Sequence, residues 1–219
     1  MNQIENINPL VRAFSEGGFV MYVILVIAIL VLILVIERFM VLKSLRVDKK
    51  EFSAQIFKMI IEGDLRKAIS YCDTKSTPVT NTIKAGLVQV MNHRPDEEVQ
   101  VAMDASVLRE MPKLEGYTSF LAVFGNLGVL AGLLGTIIGM IGSFRAVSSA
   151  DPATKAQMLS EGISHALNCT GFGLTVAIIA ILFYGLFQHM IQKSENEMLE
   201  TSMSLMNLVA ANRDKLRES

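Results

Sequence analysis

Tryptophan is absent from this 219-residue chain, cysteine appears twice, proline five times, and charged residues make up only 19%. Two cysteines, Cys72 and Cys169, exclude a disulfide scaffold and any multi-cysteine metal module. Neither sign of charge prevails: 20 Lys plus Arg stand against 21 Asp plus Glu, a formal net charge of -1. That balance excludes a basic nucleic-acid binder and an acidic disordered tail, so no nucleic-acid partner is expected. A phosphate-cradling glycine loop, a zinc-binding His-Glu pair and a nucleophile elbow are all missing, which leaves no residues for chemistry on a bound substrate. No enzymatic activity, metal or cofactor is expected. The shortage of charge, against about 25% in an ordinary soluble domain, is matched by 51% hydrophobic residues and a mean hydropathy of +0.42. What is present is a membrane protein with a modest soluble portion.

Three stretches contain no Asp, Glu, Lys or Arg: residues 17–36, 116–144 and 162–192. Each reaches the roughly 20 residues that carry a helix across a hydrocarbon core about 30 Å thick. No small-residue cleavage site follows the first apolar run, which argues against a cleaved signal peptide. Orientation follows from the flanking cations. Arg12 stands alone before the first span, whereas Arg38, Lys43, Arg46, Lys49 and Lys50 follow it. Residues 37–115 hold 13 basic side chains, residues 145–161 only Arg145 and Lys155, and residues 193–219 hold four. The positive-inside rule then predicts an N-terminus outside and a C-terminus in the cytoplasm. The expected organisation is a periplasmic segment 1–16, transmembrane helix 17–36, a cytoplasmic helical region 37–115, transmembrane helix 116–144, a periplasmic loop 145–161, transmembrane helix 162–192 and a cytoplasmic helix 193–219.

The cytoplasmic part reads as helical. Phe52, Ile56, Met59 and Ile60 share one helical face. Gly63 then Asp64 reads as a stop followed by an N-cap for residues 65–71. Thr77-Pro78 opens a helix through about Met91, since proline is tolerated in a first turn. Pro95 followed by Asp96, Glu97 and Glu98 puts three acids where the helix dipole favours negative charge. From there to Arg145, Pro112 is the one breaker candidate; a continuous helix would run about 50 residues, on the order of 75 Å. Beyond the third span, Met198, Leu205, Met206 and Val209 form a possible packing face. The fold expected is an all-α membrane protein with three transmembrane helices and long cytoplasmic helical extensions.

The second span carries Gly125, Gly128, Gly132, Gly135, Gly139 and Gly142, spaced 3, 4, 3, 4, 3. Lipid offers no hydrophobic drive to bring helices together, so close backbone approach over small residues carries much of their association. Beside this stripe runs a more polar track through Val129, Thr136 and Ser143, and the third span has a matching one: Ala166, Thr170, Gly173, Ala177, Ala180 and Tyr184. Thr136 and Thr170 each sit midway along a face of small residues. Each hydroxyl either bonds the carbonyl one turn back or lines a pathway. The second and third spans hold no carboxylate, ammonium or guanidinium, the groups that ordinarily mark ion and proton routes. If protons cross here, another polypeptide supplies the midplane acid.

The segments GGFVMYVILVIAILVLILVIERF, LEGYTSFLAVFGNLGVLAGLLGTIIGMIGSF and ISHALNCTGFGLTVAIIAILFYGLF resemble the MotA/TolQ/ExbB proton-channel family. The most specific match is GLLGTIIGMI followed some thirty residues on by ALNCTGFGL. The resemblance implies an inner-membrane protein forming a homo-oligomeric ring, usually a pentamer. The ring surrounds the helices of an ExbD/TolR-like single-span partner that carries one membrane-embedded Asp. It also implies coupling of the proton motive force to work in the envelope, through a TonB/TolA-like transducer. Thr136 and Thr170 match the family's two pore threonines, Ser143 extends the same track, and Glu37-Arg38 matches a charged pair at the cytoplasmic membrane interface. That pair could equally be an interfacial ion pair or anchor.

Three positions depart from the pattern. Val129 stands where many ExbB and TolQ relatives have proline, Ala177-Ile178-Ile179-Ala180 lacks the third-helix proline, and His165 replaces a glutamate. Histidine changes charge near neutrality, so His165 is a candidate at the outer pore entrance. A lone histidine near a helix end more often simply hydrogen-bonds at the interface. Competing readings are a gliding- or flagellar-type stator, which usually has a fourth membrane helix, a small permease, and a non-conducting scaffold. A permease needs repeats or broken helices around a substrate site, and the chain has no internal repeat.

Overall fold

The computed structural model describes residues 18–45, 49–148 and 150–212. The expected periplasmic segment 1–16, Arg46 and the end of the C-terminal segment from 213 lie outside the described residues. Among the described residues seven α-helices follow one another: α1 (Gly18–Ser44), α2 (Lys49–Ile61), α3 (Leu65–Thr74), α4 (Pro78–Met91), α5 (Asp96–Glu115), α6 (Thr118–Ser148) and α7 (Lys155–Ala211). No strand occurs among the described residues. The helices form two compact units, one of α1 up to Glu37 with Tyr117–Leu186, the other of Arg38–Gly116 with the chain from Phe187 on.

The first unit is built on the three apolar spans. Stretches within Gly18–Ser44, Asp96–Ser148 and Lys155–Ala211 are long and apolar enough to cross a membrane. Only 28% of each apolar window is buried within the chain. The remaining apolar surface is what a bilayer or further protein must cover. The inward face of α1 carries Val20, Met21 and Ile24, which pack with Cys169 against Ala131, Phe172 and Val176.

The second unit is made by caps and side-chain packing. Asp64 accepts the Lys67 backbone N–H at 3.0 Å and so opens α3. Thr77 and Thr80 exchange side-chain and backbone hydrogen bonds, 2.8 Å to the Thr77 N–H and 3.4 Å to the Thr80 N–H, ahead of Pro78 in the first turn of α4. This reciprocal pairing satisfies two donors that a helix start leaves without intrahelical partners. In α2, Phe52, Ile56 and Ile60 are buried, and the Phe52 ring stacks on Tyr71 at 5.9 Å. Met198, Leu205 and Val209 of α7 are buried as their spacing predicts, with Met206 at the edge of that face.

One expectation is corrected. The run from Pro95 to Arg145 is not a continuous helix, and the break falls at Gly116 rather than at Pro112. Pro112 stays inside α5 because the carbonyl it leaves without a partner belongs to Leu108, which faces outward. Gly116 donates its N–H to the Pro112 carbonyl at 2.9 Å and turns to φ +42, where L residues are strained. Helix enters the segment 145–161 from both sides, since α6 runs to Ser148 and α7 begins at Lys155. The third span and its extension are then one helix of 57 residues, about 85 Å long.

Candidate functional site

The seam between α6 and α7 is a contact of backbone on backbone. A methyl group added at Gly132 would sit 3.0 Å from the Cys169 carbonyl oxygen and 3.1 Å from the Thr170 Cα. One at Gly128 would meet the Gly173 carbonyl at 3.2 Å, and one at Gly173 would overlap the Gly128 carbonyl. Gly125 lies against Ala180, Gly135 against Cys169 and Gly139 against Ala166. Gly142 departs from the stripe, with open space where its side chain would be. The contact face of α7 is therefore Ala166, Cys169, Gly173, Ala177 and Ala180, all buried. Cys169 belongs to this face, against Gly132 and Gly135, and it went unnoticed in the sequence because its neighbour Thr170 fits the same spacing. The signal was there in the run of small residues at intervals of 3, 4, 4 and 3.

Both threonines lie beside this packing, each engaged with a carbonyl of α6. Thr170 donates its hydroxyl proton across the helices to the Gly132 carbonyl at 3.2 Å. Gly132 lies one turn before Thr136, so the two hydroxyls belong to adjoining levels of one seam. Thr136 itself donates to the Leu133 carbonyl of its own helix at 2.6 Å and is 9% exposed. Thr136 thus takes the intrahelical bond that the sequence left open, whereas Thr170 bonds across to the neighbouring helix. A hydroxyl has a single proton and two lone pairs. With its proton engaged, each threonine offers an acceptor, suited to a protonated carboxylic acid. Stabilising an ionised carboxylate requires the hydroxyl to rotate off its carbonyl.

The other candidates are arranged differently. Ser143 bonds back to the Gly139 carbonyl at 2.8 Å and packs on Gly162, inside the seam. His165 is half-buried; five residues before Thr170, it stands about 140° around α7 from that side chain. Glu37 is half-buried, while Arg38 is 5% exposed. The Arg38 guanidinium occupies the space into which any side chain at Gly116 would project. Arg38 is thus packed over the joint between α5 and α6, a pairing across almost eighty residues that no local pattern announces.

The apolar spans within α6 and α7 hold no carboxylate, and they carry the two hydroxyls beside a glycine seam. Residues 74–200 match the model of the MotA/TolQ/ExbB proton channel family. The chain belongs to the MotA/TolQ/ExbB family. The matched residues contain Thr136, Thr170 and every glycine of the seam, whereas α1 with Glu37 and Arg38 precedes them. Among curated relatives, the chain is 31% identical over 173 residues to the putative biopolymer transport protein ExbB homolog of Methanothermobacter thermautotrophicus, covering 78% of this chain and 60% of that protein. It is 40% identical over 91 residues to the Tol-Pal system protein TolQ of Pseudomonas aeruginosa, covering 42% of this chain and 39% of TolQ. It is 28% identical to a putative ExbB-like protein of Synechocystis, with 80% and 69% coverage. The chain thus spans about 60% and 39% of the first two relatives' lengths. Family membership, together with three helices of sufficient length and apolarity, makes this a membrane protein.

Proposed function

We propose that this chain is the channel subunit of an inner-membrane motor driven by the proton motive force. In this reading the N-terminus is outside and the C-terminus cytoplasmic. Five copies ring the single helix of an ExbD/TolR-like partner whose membrane Asp carries the proton. The single observation that carries the reading is the pair Thr136 and Thr170 on a seam of spans that hold no formal charge. An ionised carboxylate in the bilayer is costly unless a polar wall or water stabilises it. The threonines form such a wall by accepting from the protonated acid and, after rotation, donating to the ionised one. Each proton crossing releases about 2.3 kcal/mol per 100 mV, and the partner delivers this as motion to a TonB/TolA-like transducer. The names of relatives in biopolymer transport and in the Tol-Pal system support a role at the envelope.

The test is proton flux through the chain co-reconstituted with an Asp-bearing single-span partner. Hydrogen bonds to charged groups contribute roughly 1.5–3 kcal/mol, so Thr136→Val and Thr170→Val should each lower flux about tenfold or more. Thr→Ser at either position should retain most of it. Full flux in both Val variants, with assembly size unchanged, would leave the chain a scaffold rather than a channel.

A further inference from the structure

The second unit has an apolar, alanine-floored groove outside the membrane spans. It lies along the outer seam of α4 and α5, encloses about 440 Å³, and is floored by Ala85, Val88, Ala102, Ala105 and Ser106. Lys84 and Arg109 stand on its rims. Beside it on α5, Val101 is 66% and Leu108 75% exposed. Single exposed apolar residues are ordinary; two of them in helical register with Ala105, flanking a groove on a polar helix, form a surface that wants a cover. Lys84 pairs with Asp73, whereas Arg109 makes no ion pair or hydrogen bond among the described residues.

The same unit carries a ridge of the opposite character. On α7, Met198, Leu205 and Val209 face inward, leaving Asn196, Glu200, Met203 and Asn207 on the exposed side. Met203 is 60% exposed there, with the carboxylates of Glu197 and Glu200 before it. Gly86 of α4 lies against both Met103 and Leu205, so those two residues share a level. Counting outward along the two antiparallel helices, Met203 falls level with Ala105, and Glu200 level with Leu108 and Arg109. Rotation about an axis parallel to the helices preserves level. It therefore brings a methionine to the alanine floor and an acid to the arginine rim.

We infer that the α4–α5 groove of one copy receives the α7 ridge of a second copy, Met203 over Ala105 and Glu200 beside Arg109. The contact is heterologous, the groove of one copy against the ridge of the next, and it makes a ring when the repeated rotation closes. This inference rests on the homo-oligomeric reading proposed above and assigns it a contact outside the membrane.

The experiment co-expresses two distinctly tagged full-length chains, one Ala105→Cys and the other Met203→Cys, and oxidises the membranes mildly. Native Cys72 and Cys169 are buried, and the wild-type chain sets the background. The mixed pair should form a disulfide-linked heterodimer in at least tenfold greater yield than either variant alone. Arg109→Glu should reduce that yield severalfold, and adding Glu200→Arg should restore it. A wild-type chain that is oligomeric by size, with no mixed cross-link, overturns this interface while leaving the ring intact. Equal cross-linking by each single variant overturns it in favour of a symmetric contact or another occupant. A chain that is monomeric by size overturns both readings together.

Discussion

The two units of this protein are held together in different ways. In the membrane-spanning unit, α6 and α7 meet through backbone, and a methyl group at Gly173 would overlap the Gly128 carbonyl. In the polar unit, contacts run through side chains: buried Ile, Leu and Met, and helix starts closed by Asp64 and Thr77. Water explains the contrast. Outside the membrane, burying apolar side chains is itself favourable, at about 25 cal/mol per Å². In lipid that drive is missing, and helices associate by close approach and interhelical hydrogen bonds such as Thr170 to Gly132.

Two buried thiols, one in each unit, allow the contrast to be broken unit by unit. Cys169 lies under Gly135 and Val20, whereas Cys72 sits in α3, where burial and then the Asp73 charge push its thiol up to about 12. Both should resist alkylation in the folded chain.

The largest effect is expected at Gly173. Gly173→Leu drives a side chain into the Gly128 carbonyl and should destabilise the first unit by more than about 3 kcal/mol, the usual upper range for overpacking. Labelling of Cys169 should rise while Cys72 stays protected. Gly142→Leu is the control: its side chain enters open space, so the expected change is within about 0.5 kcal/mol. Next comes Leu205→Ala, which opens a cavity beside Gly86 and should cost about 2–5 kcal/mol in thermal denaturation, this time exposing Cys72. If each variant exposed both thiols equally, the two units would not be separately held, and the comparison would fail.

A smaller effect is expected at Gly116. Gly116→Ala places a side chain in a left-handed conformation, costing about 1–2 kcal/mol, and also strikes the Arg38 guanidinium. Adding Arg38→Ala should relieve the collision and leave the backbone strain. A double variant as unstable as the sum of the two singles would show that Arg38 and Gly116 act independently. The smallest effect belongs to Asp64. The Lys67 backbone N–H, and next the Lys67 side chain, hold its carboxyl below the usual range. The folded state is therefore favoured above the ordinary carboxylate pKa, and that preference is lost as pH falls through the depressed value. Asp64→Ala should lower the melting temperature slightly at neutral pH, and the gap should close in acid.

How much of this was legible beforehand varied with the range of the interaction. The starts of α3, α4 and α5 were readable because Asp64, Thr77-Pro78 and Pro95 with its three acids act within one turn. Between α5 and α6 the sequence offered Pro112 as its one breaker candidate, since proline is the stronger local breaker and nothing nearby reveals that Arg38 fills the space beside Gly116. The glycine stripe announced a tight contact, yet Gly142 faces open space while its neighbour Ser143 meets Gly162.

The sequence by itself determined the helices, the three apolar spans and the vacancy of charge in two of them, because composition and short-range periodicity are properties of the chain alone. Only the tertiary structure decided that Cys169 packs in the seam, that Thr170 reaches across to Gly132 while Thr136 bonds within its own helix, and that Arg38 lies over Gly116. Those outcomes depend on the rotation and depth at which one helix meets another, and side-chain spacing along a single helix leaves both free.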